Sequence, residues 1–587
     1  MCGIVGYIGK KIKASYLIKK LKRLEYRGYD SAGLGFISDG KIKFVKAVGK
    51  IESLEKSVPE SLEVKNGIAH TRWATNGKVN EKNAHPQLSK NGVWAIVHNG
   101  IIENEEALRK TLRAKPESDT DTSVVAELLE EKDVQNIYEF IDVFKTLVGS
   151  FAIIAENKNF ENTLFVAKRH SPLFISKNIF NDCFVASDPI CFSDFSTEYY
   201  ALEDNEFAEI KNGEIKFFDK NKNELKKKTF EIDEDFKGTE KEGYAHYMLK
   251  EIMEQKSAIS RQVNFYSKQK LLEKFDKNFL KKFNQIVLVG CGTAYHASQI
   301  GAKYFQKILN INARAEMASE FIYSKPVFAD QNSLFIFVSQ SGETADTITA
   351  LNLAKSKGAT TLAITNVMYS TLAKKANFTL PICANPEIAV ASTKAYTTML
   401  TCLYIFTSYF SENKNYFDEV LKISDEVLNF NFSKIDLIAE TLKKTKYCIF
   451  IGKDLDYITA CEASLKLKEV AYINSLNYPS GELKHGFLAL VKKNVPIIVF
   501  ANEKEINQKT FNSASEAKSR GGKLVIFTNE KEIKNKDKFT VKFETKNELL
   551  LPIVSIVPAQ YLAYKVSILK GIDPDKPRNL AKSVTVE

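Results

Sequence analysis

The sequence lacks the cysteine spacings that mark metal sites and redox pairs. Its eight cysteines form no CxxC pair and no Cys/His cluster at metal-ligand spacing. We therefore expect neither a disulfide framework nor a zinc site, and no metal or organic cofactor is implied.

Signals for export, membrane insertion and nucleic-acid binding are also missing. No charged-then-apolar leader opens the chain, and its most apolar stretch, LLLPIVSIVPAQYLAYKVSIL, carries two prolines and a lysine. The net charge of +11 comes mostly from dispersed lysines, with no basic block interleaved with aromatics. These absences predict a cytoplasmic protein with some attraction for anionic metabolites and no membrane or nucleic-acid partner.

The 587 residues suggest three or four domains, with a division near residue 235. Before that point, short alternating strands predict packed antiparallel sheets with flanking helices. The charged, aperiodic stretch EIDEDFKGTEKEG is typical of a linker, and apolar residues at helical spacing follow it.

The second half contains an internal duplication. The runs NQIVLVGCG, SLFIFVSQSGE and GATTLAITN recur in the same order as KYCIFIGKD, VPIIVFANEKE and GGKLVIFTN, at nearly constant offset. Chance repetition of apolar runs is improbable for three matched pairs. Helix-length spacers between these runs predict two copies of a doubly wound parallel α/β domain.

Polar residues follow the strands of the first copy, where ligands bind in such sheets. Thr293 follows one strand, Ser339, Gln340, Ser341 and Thr344 follow the next, and Ser392 lies behind a third. Hydroxyls and glycine-permitted N–H groups at helix starts can cradle an anion, although helix capping alone is the alternative. Because no GxxxxGK[ST] motif is present, a sugar phosphate is favoured over a nucleoside triphosphate.

The second copy replaces those hydroxyls with GKD and ANE but adds ionisable residues. Glu462, Lys466 and Glu469 share one helix face, as a solvated salt-bridge stripe would. His485 lies beside a glycine in a turn-rich segment, where it is either a proton carrier or a surface residue.

The chain start, MCGIVG, offers a possible nucleophile. Removal of Met1 would leave Cys2 with a thiol and an α-amine on one residue, and the amine could take the thiol proton during attack. Taken alone, a cysteine at position 2 is more simply accidental.

Twelve sequence motifs, which occur in order along the chain, decide between these alternatives. Through them, the chain resembles the glutamine:fructose-6-phosphate aminotransferase (isomerizing) family along its full length. The motifs are CGIVGYIG, RLEYRGYDSAG, HTRWAT, NAHP, VHNGIIEN, SDTDT, CGTAYHA, SQSGETADT, VASTKAYTT, LKLKE, SGELKHG and PRNLAKSVTVE.

The resemblance implies an α+β N-terminal-nucleophile glutaminase, an αββα sandwich, followed by two α/β doubly wound sugar isomerase (SIS) domains. It implies a glutaminase domain over 2–235, a linker and first helix over 236–275, sugar isomerase domains over 276–415 and 435–575, and a catalytic tail over 576–587. The implied substrates are L-glutamine and D-fructose 6-phosphate, and the implied assembly is a homodimer.

By the same resemblance, Cys2 attacks glutamine, and Asn99 with Gly100 forms the oxyanion hole. Four further residues match glutamine-binding positions: Arg72 for the carboxylate, Asp121 for the ammonium, Trp73 as a gate for ammonia, and Thr75.

The implied sugar site places the phosphate on Ser339, Gln340, Ser341 and Thr344, with Thr293 and Ser392 nearby. Lys582 resembles a lysine that forms a Schiff base with the sugar. Glu469 would move a proton between C1 and C2, His485 would assist ring opening, and Lys466 would support both.

Three positions depart from the family pattern: Asn76, Ala389 and Phe487 replace His, Gly and Pro.

Two rival functions fit the sequence less well. Other glutamine-dependent amidotransferases need a pyrophosphate-and-magnesium loop or an SGGxDS-type loop, and neither is found. A sugar-phosphate-binding regulator would not need Glu469, His485 and Lys582 together.

Overall fold

The computed structural model describes residues 2–74, 77–160, 162–232, 240–324, 329–530 and 539–584. Contacts divide the chain into two compact units. The first comprises residues 1–239 together with 581–587, and the second comprises residues 240–580.

The first unit is built on two antiparallel sheets. Its strands are β1 (Gly3–Lys13), β2 (Ser31–Ser38), β3 (Lys41–Val48), β4 (Glu63–Arg72), β5 (Gln87–Leu88), β6 (Trp94–Ile102), β7 (Gly149–Asn157), β8 (Thr163–Arg169), β9 (Phe174–Lys177), β10 (Cys183–Ala186), β11 (Glu198–Ala201), β12 (Glu206–Lys211), β13 (Glu214–Phe218), β14 (Glu224–Leu225) and β15 (Phe230–Glu231). Its helices are α1 (Ala14–Lys22), α2 (Ile51–Ser57), α3 (Glu105–Thr111), α4 (Asp121–Glu131) and α5 (Ile137–Lys145). The strand orders are β15-β11-β9-β10-β1-β4-β2-β3 and β14-β13-β12-β8-β7-β6-β5.

Apolar side chains between the two sheets form one layer of this core. Ile4 and Ile68 of the first sheet belong to the same buried cluster as Val97 and Ile154 of the second. A second cluster joins the outer face of β6–β8 to α4 and α5, while α1 and α2 contact the first sheet. The predicted αββα layering is therefore confirmed.

The second unit alternates helices with parallel strands. Its strands are β16 (Gln285–Gly290), β17 (Ala313–Met317), β18 (Ser333–Ser339), β19 (Thr360–Thr365), β20 (Phe378–Pro381), β21 (Tyr447–Gly452), β22 (Asn474–Pro479), β23 (Pro496–Ala501), β24 (Lys523–Thr528) and β25 (Thr540–Lys542). Its helices are α6 (Tyr247–Met253), α7 (Gln255–Lys268), α8 (Thr293–Leu309), α9 (Ala318–Phe321), α10 (Ala345–Ser356), α11 (Thr371–Lys375), α12 (Lys394–Tyr409), α13 (Tyr416–Glu426), α14 (Phe432–Leu442), α15 (Leu455–Ala471), α16 (Asn507–Ser519) and α17 (Leu551–Leu569).

Two five-stranded parallel sheets have the same topology. Their orders are β17-β16-β18-β19-β20 and β22-β21-β23-β24-β25, so the duplication predicted from the sequence is confirmed. The central strands are continuous apolar runs because helices cover both faces of each sheet.

The apolar stretch near the C-terminus is a helix of this core. The helical stretch from Glu548 to Leu569 is long and apolar enough to cross a membrane. However, 89% of its most apolar 18-residue segment is buried within the protein. Its apolar surface is therefore covered by protein.

Candidate active sites

The thiol of Cys2 lies at the end of β4 in the first unit. Cys2 Sγ accepts a hydrogen bond from the Trp73 N–H at 3.3 Å. Burial raises the pKa of this thiol, although the Trp73 N–H and the Arg72 cation act in the opposite direction. The thiol is therefore protonated at neutral pH and needs a base before it can attack.

Arg72, the last residue of β4, and Trp73, which follows it, lie close to Cys2. Arg72 is buried, and its guanidinium donates to the carbonyl of Lys78 at 3.3 Å. A Cβ on Gly28 would lie 2.6 Å from the Trp73 nitrogen, so only glycine allows this close approach. The half-buried Trp73 ring packs edge-on against Tyr29.

Asn99 and Gly100 lie on β6, which faces β4 from the other sheet. Gly100 has φ of +137°, and a Cβ there would lie 2.1 Å from the Ser150 carbonyl oxygen, so no other residue fits. The buried Asn99 Oδ1 has no hydrogen-bond partner within the described ranges. Gly100 thus has a backbone conformation that only glycine adopts here, and Asn99 keeps a buried amide oxygen available for a further hydrogen bond.

Asp121 begins α4 and points back toward β6. Its carboxylate accepts hydrogen bonds from the Ile102 N–H at 2.8 Å and the Thr122 N–H at 2.9 Å. The charges of Asp121 and Arg72 both act on the Cys2 thiol. The structure therefore brings Cys2, Arg72, Trp73 and Asp121 together, with β6 alongside.

Sequence reasoning missed three buried histidines behind this site. Thr122 Oγ1 lies 2.9 Å from both His85 Nε2 and His98 Nδ1, and the His70 ring packs on His85. Burial lowers the pKa of all three, that of His70 to about 3, so they are neutral and hold β4, β6 and α4 in register. The motifs HTR, AHP and VHNG contain these histidines and were the signal in the sequence that could have identified them.

Thr75 and Asn76 lie outside the described residues.

The predicted phosphate loop follows β18 in the second unit. Ser339 Oγ lies 3.0 Å from Thr344 Oγ1 and accepts the Gly342 N–H at 3.1 Å, while Ser341 Oγ accepts the Glu343 N–H. Gln340 is half-buried in the same loop. The structure thus brings these four predicted residues into one tight turn before α10. Ser392 lies in a different segment, where its hydroxyl donates to Glu387 at 2.7 Å.

Glycine is needed at one position of that loop. Gly342 has φ of +66°, and a Cβ there would lie 2.0 Å from Ser370 Oγ. The observed conformation of the loop therefore requires glycine at this position.

A buried ionic cluster joins the first copy to the second. Glu462 of α15 accepts from Thr293 Oγ1 at 3.0 Å and lies 2.7 Å from His296 Nδ1, both on α8. Lys466 lies 3.3 Å from Glu462 and 2.7 Å from Glu469, and donates to Thr293 Oγ1 at 2.9 Å. The stripe is thus an internal cluster, and the solvated alternative is wrong.

The charges of this cluster stabilise one another. Burial opposes the charge on Lys466, but Glu462 and Glu469 together raise its pKa above the ordinary value. Burial likewise opposes the charge on Glu462, yet Lys466 and the hydrogen bonds from His296 and Thr293 lower its pKa. Both groups are therefore ionised at neutral pH although they are fully buried.

Two further predicted residues, His485 and Lys582, lie on other segments of the chain. The His485 side chain is exposed at the end of a short turn, and within the described ranges no contact joins it to Lys466 or Glu469. Lys582 belongs to the C-terminal segment that groups with the first unit. Within the part of the chain that the structure describes, His485 is therefore not brought together with Lys466 or Glu469.

Known proteins match both units. A family model described as a SIS domain matches residues 279–409 and 441–570, and one described as a glutamine amidotransferase domain matches residues 70–194. This chain is 42% and 39% identical, over the full length of both chains, to proteins from Caldanaerobacter subterraneus subsp. tengcongensis and Clostridium tetani. Both are named glutamine--fructose-6-phosphate aminotransferase (isomerizing). The chain belongs to the glutamine--fructose-6-phosphate aminotransferase (isomerizing) family.

A solved structure of the C-terminal domain of glucosamine-fructose-6-phosphate aminotransferase from Francisella tularensis matches 57% of this chain and all of that one. Its sequence identity is 37% and its TM-score 0.54. This likeness agrees with the two parallel sheets of the second unit in this family member.

In the second SIS domain of this family member, a carboxylate of the protein lies at the start of a helix, where an anion could otherwise bind. Glu503, which follows β23, accepts the Leu455 N–H at the start of α15 at 3.0 Å. The adjoining cavity of about 570 Å³ is lined by Asp454, Glu503, Glu505 and Glu548 against only two lysines. A carboxylate at the helix start and an excess of negative charge both disfavour a phosphate there.

Two departures from the family pattern have local explanations. The Phe487 ring stacks on Tyr478 with ring centroids 3.6 Å apart. Ala389 is buried, and its N–H donates to Glu251 Oε1 at 3.1 Å. Neither residue takes the place of a predicted reacting group.

Proposed function

We propose that this protein hydrolyses glutamine at Cys2, retains the ammonia and uses it to convert fructose 6-phosphate into glucosamine 6-phosphate. One observation carries this proposal: a single chain holds a half-buried thiol beside Arg72 and Asp121, and an internal Glu–Lys–Glu cluster in its SIS half. A regulator would need the hydroxyl-rich loop alone.

In the first half-reaction, the Cys2 sulfur attacks the side-chain amide carbon of glutamine. The thiol proton goes to the α-amine that Met1 removal would expose and then to the leaving nitrogen, which departs as ammonia. Water hydrolyses the thioester to glutamate. Support comes from the thiol contacts: within the described ranges, no His, Asp or Glu side chain hydrogen-bonds to Cys2 Sγ, so a base must come from elsewhere.

The glutamine substrate would be held by its two charged ends. Arg72 would bind the α-carboxylate because a guanidinium offers two parallel N–H donors, and Asp121 would bind the α-ammonium. The Asn99 amide and the Gly100 N–H would stabilise the oxyanion. Trp73 would gate the passage of ammonia, and Thr75 would contact glutamine.

In the second half-reaction, the phosphate would bind to Ser339, Gln340, Ser341 and Thr344, with Thr293 and Ser392 nearby. Lys582 would form an imine with C2 of the open-chain sugar, which acidifies the C1 protons. Ammonia would then replace the lysine at C2, and Glu469, with Lys466 beside it, would move the proton between C1 and C2.

The C-terminal segment is anchored close to α15 before it reaches Lys582. Asp575 accepts the N–H groups of Tyr247 and Met248, and the Arg578 N–H donates to Tyr472 Oη at 2.6 Å. Tyr472 follows α15 directly, so the chain up to Arg578 is held at the end of that helix.

We also propose a cytoplasmic homodimer. The exposed His485, which would assist ring opening, supports the dimer because no contact within the described ranges joins it to Lys466 or Glu469 of its own chain.

Two variants test the proposed division of labour. Cys2→Ala should abolish glutamine-dependent synthesis and keep synthesis driven by added ammonia, because it removes only the thiol. Lys582→Arg should abolish aminosugar formation and keep glutamine hydrolysis, because arginine retains the charge but forms no imine. Glutamate and glucosamine 6-phosphate are quantified separately, and intact mass should show Met1 absent. Equal loss of both activities in Cys2→Ala, or normal synthesis in Lys582→Arg, would contradict the proposal.

A further inference from the structure

His296 contacts the ionic cluster but has no role in the proposed reaction. It lies one turn after Thr293 on α8, so both side chains leave the same helix face and meet Glu462 of α15. Its Nδ1 lies 2.7 Å from Glu462 Oε2, and 17% of its side chain is exposed.

Glu462 is fully buried and divides its oxygens between two donors. Oε1 accepts from Thr293 and lies 3.3 Å from Lys466, whereas Oε2 faces His296. Because an ionised carboxylate only accepts hydrogen bonds, Nδ1 of His296 must carry the proton of this contact. The imidazole thus supplies a hydrogen bond that the buried Oε2 would otherwise lack.

Lys466 is shared between two carboxylates. It lies 2.7 Å from Glu469 and 3.3 Å from Glu462, so its position depends on how strongly each carboxylate attracts it. If His296 no longer satisfied Oε2, Glu462 would turn that oxygen toward Lys466, the nearest other cation, and draw the ammonium away from Glu469.

We propose that His296 is a positioning residue of the sugar site: by holding Glu462 Oε2 it keeps Lys466 against Glu469. This inference rests on the proposed function, in which Glu469 moves the proton between C1 and C2. His296 itself need not touch the sugar, since its effect passes through Glu462 and Lys466.

The test compares His296→Leu with His296→Asn. Leucine fills the space but donates no hydrogen bond, whereas the asparagine Nδ2 occupies nearly the place of the imidazole Nδ1. Gln299→Leu is the matched control, because Gln299 lies on the same helix and hydrogen-bonds to Tyr295 instead. Each full-length variant is assayed for synthesis from fructose 6-phosphate and glutamine, and for glutamine hydrolysis alone.

His296→Leu should lower kcat for synthesis by about 10- to 100-fold with little change in the KM for fructose 6-phosphate, because the base is misplaced while the phosphate contacts remain. His296→Asn should retain most of the rate, and glutamine hydrolysis alone should be unchanged in all variants. With fructose 6-phosphate deuterated at C1, the kinetic isotope effect should rise in His296→Leu because proton transfer becomes slower than the other steps.

Several outcomes would overturn the inference. A normal kcat in His296→Leu would show that the hydrogen bond is dispensable, and a raised KM alone would make His296 a binding contact. A lower kcat with an unchanged isotope effect would indicate only a loss of active protein.

If His296→Leu does not fold, His296→Asn is compared with His296→Gln, whose amide donates from a more distant position. Equal rates for these two would also contradict the inference. Failure of the wild-type protein to convert fructose 6-phosphate would instead refute the proposed function, so the two failures are distinguishable.

Discussion

At the scale of single residues, both candidate sites depend on buried charge, but one buried carboxyl lies outside them. Glu156 on β7 is fully buried, and neither of its oxygens has a hydrogen-bond partner within the described ranges. Burial raises its pKa to about 8. The side chain is therefore protonated at neutral pH in the folded first unit and ionised in the unfolded chain.

This difference predicts a pH-dependent stability of the first unit. Because the folded pKa is the higher one, the contribution of Glu156 is full below its unfolded pKa near 4.5. It is lost at roughly 1.4 kcal/mol per pH unit as the pH rises toward about 8. Glu156→Gln should remove this loss, since glutamine never ionises.

Tryptophan fluorescence during urea unfolding measures this effect selectively, because Trp73 and Trp94 are the only tryptophans and both lie in the first unit. Glu214→Gln, at a side chain that is 70% exposed, is the control and should change nothing. If Glu156→Gln and the wild type lose stability equally between pH 5 and pH 8, the burial argument is wrong.

At the scale of secondary-structure elements, the loop between β18 and α10 carries the proposed phosphate site. Gly342→Ala should raise the KM for fructose 6-phosphate by roughly 10-fold or more, because the new methyl group would collide with Ser370 and displace the loop proposed to bind the phosphate. Glutamine hydrolysis without sugar should not change.

Gly358→Ala is the matched control for this prediction. Gly358 also has a positive φ, of +82°, but a Cβ there would have no neighbour closer than 4.0 Å. Similar KM values for the two variants would show that backbone strain, and not displacement of the loop, causes the effect.

Helix and strand positions in the SIS half were predictable because periodicity and duplication carry that information. The runs ending at Gly290 and Gly452 became equivalent strands of two equivalent sheets. The spacing of Glu462, Lys466 and Glu469 predicted one helix face, but spacing alone could not distinguish a solvated stripe from a buried cluster. That distinction depends on α8, which lies more than 150 residues earlier and supplies Thr293 and His296.

The glutaminase residues show a different limit of sequence reasoning. Cys2, Arg72 and Asp121 were predicted from motifs, yet the buried histidines behind them were not. His70, His85 and His98 lie on separate segments that meet only through the packing of two sheets. The identity of each histidine is visible in the sequence, but its neutral, buried state follows only from tertiary contacts.

At the scale of the whole molecule, one chain combines a glutaminase unit with a unit of two SIS domains. Ammonia released into neutral water becomes ammonium, which has no lone pair with which to attack a carbonyl. A chain that carries out both reactions can pass ammonia on before it is protonated. We therefore expect transfer of the glutamine amide nitrogen without exchange with the solvent.

The most direct test supplies glutamine labelled with ¹⁵N at the side-chain amide, with and without fructose 6-phosphate, in excess unlabelled ammonium. For a coupled synthase we expect equal amounts of glutamate and glucosamine 6-phosphate, ¹⁵N retained in the aminosugar, and glutamate release that rises strongly when the sugar is present. Glutamate without aminosugar, or aminosugar that carries mostly unlabelled nitrogen, would contradict this expectation.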